Sequence, residues 1–142
     1  MSASLVAPGD TTDRLFWFVQ VSDLHISLVV PERAANFDSF CESTLPVIAP
    51  ALVLATGDLT DGVADADHTI APQEADWITY SSILAKHGLN RTDFWFDIRG
   101  NHDNFGTWPR NGSLDYFSQY AVHGQSDYIH YDYNTVRLLL RE

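Results

Sequence analysis

The chain has 142 residues, of which 45% are apolar and 13% aromatic, and its 19 acidic and 8 basic residues give a formal net charge of −11. This length fits one domain or part of one, and the acidic balance argues against nucleic-acid binding, for which a basic surface is expected. A single cysteine, Cys41, excludes an intrachain disulfide, and its place in a helical apolar pattern predicts a small core residue.

The first half of the chain predicts two strands joined by a helix. Residues 1–14 form a polar lead-in that we expect to be loose, and one domain follows over 15–142. The near-continuous apolar run 15–21 predicts a buried strand of a mostly parallel sheet. Apolar residues at helical spacing predict a helix over 32–48, and a second strand is expected over 51–55.

The second half continues the alternation of strands and helices. The predicted elements, in chain order, are a loop over 62–72, a helix over 73–87, a strand over 94–98, a helix over 113–122 with Ser113 as its N-cap, and a hairpin of strands 128–133 and 136–140. This β-α-β-α-β order calls for a parallel sheet with right-handed crossovers. The predicted fold class is therefore α/β, a mostly parallel sheet with flanking helices.

Three short motifs follow the three predicted strands. They are Asp23-Leu24-His25, Gly57-Asp58-Leu59-Thr60-Asp61 and Gly100-Asn101-His102-Asp103. Ligands bind at the carboxyl ends of strands in open α/β sheets, and oxygen and imidazole donors that converge there indicate a divalent metal site. Turn formation is the alternative for the carboxylates, but it does not explain a histidine in two of the three motifs.

In these motifs the chain resembles the calcineurin-like metallophosphoesterase superfamily, whose pattern continues with later histidines that end in Gly-His-x-His. The flanking segments FVQVSDLHIS, LVLATGDLTDG, FDIRGNHDNF and DYFSQYAVHG look like the transmembrane protein 62-like branch. The resemblance runs from about residue 16 to 131, and no Gly-His-x-His occurs in the chain. It implies the N-terminal part of the catalytic domain, which is the first half of an α/β/β/α sandwich.

The resemblance implies a metal-dependent phosphoester hydrolase in which a hydroxide that bridges two divalent ions attacks phosphorus. It makes Asp23, His25 and Asp58 ligands of the first ion. Asp58 would bridge to the second ion, which Asn101 would bind through its amide oxygen. The ions could be Mn, Fe, Zn or Mg, because oxygen and nitrogen ligands admit several metals.

The resemblance also implies two catalytic residues. His102 would protonate the leaving oxygen, and Asp61 would accept a hydrogen bond from its ring and fix its orientation. Asp103 is interpreted as structural. Simpler roles stay open for three residues: His25 as a loop histidine bound by backbone, Asn101 as a turn former and Asp61 as an Asx-turn residue.

The incomplete second metal site defines the alternative function, which is a catalytically incompetent metal-binding fragment or an interaction module. Three protein ligands can hold an ion, whereas the second site has two. We expect the catalytic activity of the chain alone to be weak or absent. The resemblance implies that the substrate is a phosphoester. No signal peptide or membrane segment is expected in the chain. The sequence does not indicate in which cellular compartment the protein resides. We expect the chain to self-associate, because a sheet without its partner layer exposes an apolar face.

Overall fold

The computed structural model describes residues 17–107 and 109–125, with the backbone of strands 128–133 and 136–141. The predicted lead-in over 1–14 lies outside the described residues, and so do the first two residues of the predicted first strand and the turn of the predicted hairpin.

A three-stranded parallel sheet in the order β1–β2–β3 forms the centre of the fold. Its strands are β1 (Val19–Val21), β2 (Val53–Thr56) and β3 (Trp95–Ile98). Val53 pairs with Val19 on one side and with Trp95 on the other. The carboxyl ends of the three strands therefore lie at one edge, and the predicted α/β class with a mostly parallel sheet is confirmed.

The first crossover is helical, as predicted, but it is not a regular α-helix throughout. It consists of α1 (Pro31–Ser39), a π-helical turn (Phe40–Thr44) and α2 (Leu45–Ile48). The π turn comes directly before the turn that contains Pro46. Proline has no N–H and its ring crowds the carbonyl of the preceding turn, so a wider turn accommodates it. Ala49 then ends the segment with a left-handed φ of 47°.

The second crossover contains α3 (Glu74–Lys86), which agrees with the predicted helix to within one residue at each end. The next helix, α4 (Tyr116–Tyr120), is shorter than predicted, and its N-cap is Asp115. The prediction of Ser113 as the cap is therefore wrong. A buried arginine fixes the Asp115 carboxylate at this position, as described below, so the helix begins there.

The two remaining strands form the predicted hairpin. Strands β4 (Tyr128–Tyr133) and β5 (Val136–Arg141) are antiparallel, with Tyr128 opposite Arg141 and Tyr133 opposite Val136.

The core lies between the sheet and the helices α1 to α3. It contains Val53, Ala55 and Trp95 from the sheet and Phe37, Cys41, Leu45, Trp77, Tyr80 and Leu84 from the helical segments. Cys41 is 2% exposed, and burial raises the pKa of its thiol to about 12. The prediction that Cys41 is a small core residue is confirmed.

Two large apolar side chains beside β1 remain half-exposed. Trp17 and Phe18 are 48% and 45% exposed, and within the described sheet β1 pairs with one strand, β2. Apolar surface next to an open strand edge favours association between chains. Self-association of the chain stays a prediction.

A buried ion pair joins the end of β3 to the start of α4. The guanidinium of Arg99 donates to both carboxylate oxygens of Asp115 over 2.7 and 2.8 Å, and the two side chains are 5% and 0% exposed. Burial by itself would raise the pKa of Asp115. Hydrogen bonds from Arg99, Asn111 and Ser118 outweigh it and lower this pKa from 3.8 to about 2.

This pair predicts a specific loss of stability in acid. Because the pKa of Asp115 is lower in the folded chain, its ionised form stabilises the fold fully above about pH 4, and this contribution is lost as the pH falls toward 2. We expect the difference in unfolding free energy between wild type and Asp115→Asn to shrink by about 2 kcal/mol over that range. Urea titrations followed by tryptophan fluorescence at several pH values measure it.

The exposed pair between Arg91 and Asp93 supplies the matched control. Asp93→Asn removes the same kind of contact at the surface, where water and salt screen the ion pair and its contribution to stability is small. A pH dependence for Asp115→Asn no larger than that of Asp93→Asn would contradict the assignment.

Candidate metal centre

The three motif loops leave the carboxyl ends of β1, β2 and β3, and backbone hydrogen bonds join the first loop to the second. Asp23 donates its N–H to the carbonyl oxygen of Gly57 over 3.1 Å, and His25 donates to that of Asp58 over 2.9 Å. The first loop thus continues the pairing of β1 with β2 beyond the strands. This contact sets residues 23–25 beside residues 57 and 58, as the spacing of the motifs predicts.

Two glycines allow the second and third loops to approach each other. Gly57 has a φ of 97°, and a Cβ built on it would lie 2.7 Å from the Cα of Gly100. A Cβ built on Gly100 would overlap the carboxylate and the backbone nitrogen of Asp58. A side chain at either position would push the loops apart, which explains why both motifs begin with glycine.

A buried carboxylate fastens the same two loops. Asp103 is 2% exposed, and it accepts backbone N–H groups from Leu59 at 3.1 Å, Thr60 at 3.0 Å and Gly100 at 2.9 Å. Burial raises its pKa against the opposing effect of these bonds. The interpretation of Asp103 as a structural residue is confirmed.

The loops bring together three groups that could hold a metal ion. One ligand atom each of His25, Asp58 and His102 lies within 4.8 Å of the others. Asp23 joins them, because its Oδ1 lies 3.9 Å from Nε2 of His25, and Oδ2 of Asp58 lies 4.0 Å from the same nitrogen. The other oxygen of Asp58 accepts the backbone N–H of His102 over 3.0 Å.

Asp61 holds both histidine rings through different oxygens. Its carboxylate Oδ1 lies 2.9 Å from Nδ1 of His25, and its backbone carbonyl oxygen lies 2.7 Å from Nδ1 of His102. Asp61 thus accepts the expected hydrogen bond from the His102 ring, but through its backbone carbonyl, because its carboxylate oxygen lies 4.0 Å from that ring nitrogen. The carboxylate is turned to His25 because its second oxygen lies 2.8 Å from the guanidinium of Arg33.

This arrangement suits metal binding. Ligating histidines usually donate one ring N–H to a carboxylate or carbonyl, which leaves the other nitrogen for the ion. In His25 the Nδ1 is engaged by Asp61, and Nε2 is the nitrogen that faces the carboxylates of Asp23 and Asp58. Carboxylate and imidazole are donors that divalent transition metals accept, so the residues present fit an ion of this class.

The two remaining predicted ligands are open to solvent. The side chain of Asp23 is 68% exposed. Asn101 is exposed and directly precedes the 3-10 turn His102–Asn104. The predicted role of Asn101 as a ligand of a second ion stays a prediction.

Three residues of the centre have left-handed backbone conformations. The φ angles are 56° at Asp23, 46° at His25 and 51° at Asp58. Such conformations cost non-glycine residues on the order of 1–3 kcal/mol each and persist where the surrounding structure enforces them. Here the backbone hydrogen bonds between the first and second loops hold these residues in the left-handed conformation.

Two residues that support the site, Asp76 and Arg33, were not identified from the sequence. Asp76, 1% exposed, accepts the N–H of Leu28 over 2.9 Å and so holds the loop that follows His25. Its place in the first turn of α3, where carboxylates are favoured, was the available signal. Arg33 follows His25 by eight residues, and no motif marks it.

The comparisons with known proteins agree with this geometry. The profile of the family described as "Calcineurin-like phosphoesterase" matches residues 16–140. The chain is 43% identical over 128 residues to the Arabidopsis thaliana protein named "Putative metallophosphoesterase At3g03305", with 87% of this chain and 17% of that protein covered. It is 36% identical over 130 residues to "Transmembrane protein 62" of Mus musculus, with 91% of this chain and 20% of that protein covered.

The chain thus spans about a fifth of the length of these curated relatives. Within the part of the chain that the structure describes, no helix has the length and apolar character needed to cross a membrane.

The role of Asp103 can be tested by removing its carboxylate. Asp103→Ala leaves the two buried N–H groups of Leu59 and Thr60 and the partly buried N–H of Gly100 without their acceptor, and we expect the free energy of unfolding to fall by about 3 kcal/mol. Asp103→Asn keeps an acceptor oxygen and should lose less. Urea unfolding of both variants, with the exposed Asp67→Ala as control, measures this. Equal midpoints for Asp103→Ala and Asp67→Ala would contradict the interpretation.

Proposed function

Because the chain belongs to the calcineurin-like phosphoesterase family, we propose that it carries a metal centre for phosphoester hydrolysis. The observation that supports this most directly is the cluster of His25, Asp58 and His102, each with one possible ligand atom within 4.8 Å of the others. In the proposal His25 and Asp58 are ligands, and His102 lies beside the ion as a proton donor. The cluster stands at the carboxyl edge of the sheet, where ligands bind in open α/β folds.

In this proposal two divalent ions, Mn, Fe, Zn or Mg, are held by four residues. Asp23, His25 and Asp58 bind the first ion, and Asp58 and Asn101 bind the second. When bound, such ions neutralise phosphate oxygens and lower the pKa of the water that attacks phosphorus. Because the chain carries a net charge of −11, we expect the positive potential for an anionic substrate to come mainly from the ions.

His102 acts in the proposal as the general acid. Its Nδ1 is engaged by the backbone carbonyl of Asp61 at 2.7 Å, so its Nε2 is the atom from which a proton can reach the leaving oxygen. Asp61 has a positioning role, because it holds His102 through its carbonyl and His25 through its carboxylate. Phosphoryl transfer depends mainly on such positioning and on charge.

The second candidate function is metal binding without turnover. The observation that favours it is the ligand count, because within the part of the chain that the structure describes the second ion would have two protein ligands, Asp58 and Asn101. Under this alternative the 142-residue chain binds one ion and hydrolyses p-nitrophenyl phosphate at the background rate.

Metal binding is the first prediction of the proposed function. We expect about one divalent ion per chain to bind better than a second, because three protein ligands suffice for one site. Isothermal calorimetry with Mn²⁺ on wild type and Asp58→Asn tests this. The variant keeps an oxygen for the His102 N–H but loses the charge of the carboxylate.

Asp67→Asn is the matched control, since it removes one negative charge from an exposed loop. The expected result is weaker Mn²⁺ binding for Asp58→Asn alone. Isotherms of Asp58→Asn and wild type that superimpose would remove the metal centre from the proposal.

The role of His102 gives the second prediction. With Mn²⁺ bound, His102→Ala should lower hydrolysis of bis-p-nitrophenyl phosphate by about 10²–10⁴-fold, the usual contribution of a general acid, and leave Mn²⁺ affinity nearly unchanged. His25→Ala should instead lose Mn²⁺ affinity, and His68→Ala in the exposed loop should change neither quantity.

Affinity separates the two roles of His102 even where turnover is at background. A loss of Mn²⁺ affinity in His102→Ala as large as that in His25→Ala would show that His102 is a metal ligand and contradict its role as the acid.

A further inference from the structure

Arg33 touches the candidate metal centre without being one of its predicted ligands. Its Nη1 lies 2.8 Å from Oδ2 of Asp61 and donates to the backbone carbonyl of His25 over 3.3 Å. One guanidinium nitrogen therefore contacts both the carboxylate that orients the His25 ring and the backbone of His25 itself.

Hydrogen bonds hold the segment before Arg33 in place, and this fixes the position from which the Arg33 side chain extends. Arg33 lies in the first turn of α1, where its N–H donates to the carbonyl of Val30 over 3.2 Å. The preceding loop is fixed by Asp76, which accepts the N–H of Leu28, and by Ser27, whose hydroxyl accepts that of Val29.

The Asp61 carboxylate has two oxygens and two side-chain partners, His25 on Oδ1 and Arg33 on Oδ2. A carboxylate with a partner on one oxygen keeps some freedom to rotate about its Cβ–Cγ bond. A carboxylate with a partner on each oxygen has less of this freedom, because rotation weakens both contacts. Arg33 thus restricts the carboxylate to the orientation in which Oδ1 meets Nδ1 of His25. That contact in turn leaves Nε2 facing Asp23 and Asp58.

We propose that Arg33 is a positioning residue of the metal centre, which acts through Asp61 to hold His25 in its ligating orientation. This inference rests on the proposed function, because it presupposes that His25 binds a metal ion. Partners that orient ligating histidines typically change metal affinity by about 10–100-fold when they are removed.

The test uses Co²⁺, whose visible absorption reports the geometry of its ligands. Arg33→Met keeps a long, helix-favouring side chain but removes every donor. We expect it to weaken Co²⁺ affinity by about 10–100-fold and to alter the absorption bands. Arg33→Lys keeps a donor and should recover part of the affinity.

Arg91→Met is the matched control. It makes the same change of charge at a surface arginine that pairs with Asp93, and it should leave the affinity and the spectrum as in wild type. Urea unfolding of each variant separates loss of the fold from loss of the metal site.

A double-mutant cycle with Asp61→Asn tests the route through Asp61. The carboxamide can still accept the ring N–H of His25 but no longer forms an ion pair with Arg33. In the Asp61→Asn background, Arg33→Met should cause little further loss of affinity, because residues that act through one contact are not additive.

The outcomes are distinguishable. A wild-type chain without Co²⁺ bands or measurable affinity would overturn the proposed function and this inference with it. Wild-type binding that Arg33→Met leaves unchanged, or independent losses from Arg33→Met and Asp61→Asn, would overturn the role of Arg33 alone.

Discussion

The site depends most on the hydrogen bonds that the carboxylate of Asp103 accepts. Two loops at the carboxyl edge of the sheet point backbone N–H groups of Leu59, Thr60 and Gly100 at it. These groups lie beyond the ladder hydrogen bonds of β2 and β3, and buried N–H groups must find acceptors. One buried carboxylate has capacity for all three. The two loops therefore close around a single anion, and the residue that precedes Asp103 is brought next to the carboxylate of Asp58.

Around this closure the polar residues divide into supports and candidate ligands. Asp103 and the ion pair of Arg99 with Asp115 are buried, and they fix the third loop from both of its ends. Asp61 stands between the two groups, with a carboxylate and a carbonyl that each meet a different histidine. Arg33 is half-exposed and meets Asp61 from the first helix. The geometry of the candidate ligands is thus set by contacts that are largely hidden from solvent.

The sequence is sufficient for the parts of this structure that local pattern controls. The order of strands and helices, the hairpin and the positions of the three motifs follow from apolar runs and from turn residues. Other features depend on contacts distant in the chain. The Asp61 carboxylate turns to one histidine rather than the other because Arg33 holds it. The cap at Asp115 in place of Ser113 depends on a buried arginine. The π turn before Pro46 accommodates a proline inside a helix that core packing keeps together.

The left-handed conformations of Asp23, His25 and Asp58 set stability and metal binding against each other at these positions. Glycine adopts this backbone without strain, and asparagine tolerates it better than most residues do. A search for more heat-resistant variants that is guided by unfolding temperature alone would favour glycine or asparagine at these positions. Each such replacement would remove a carboxylate or imidazole group that could bind the metal ion. Engineering of this domain for robustness should therefore exclude these residues from randomisation and seek its gains elsewhere.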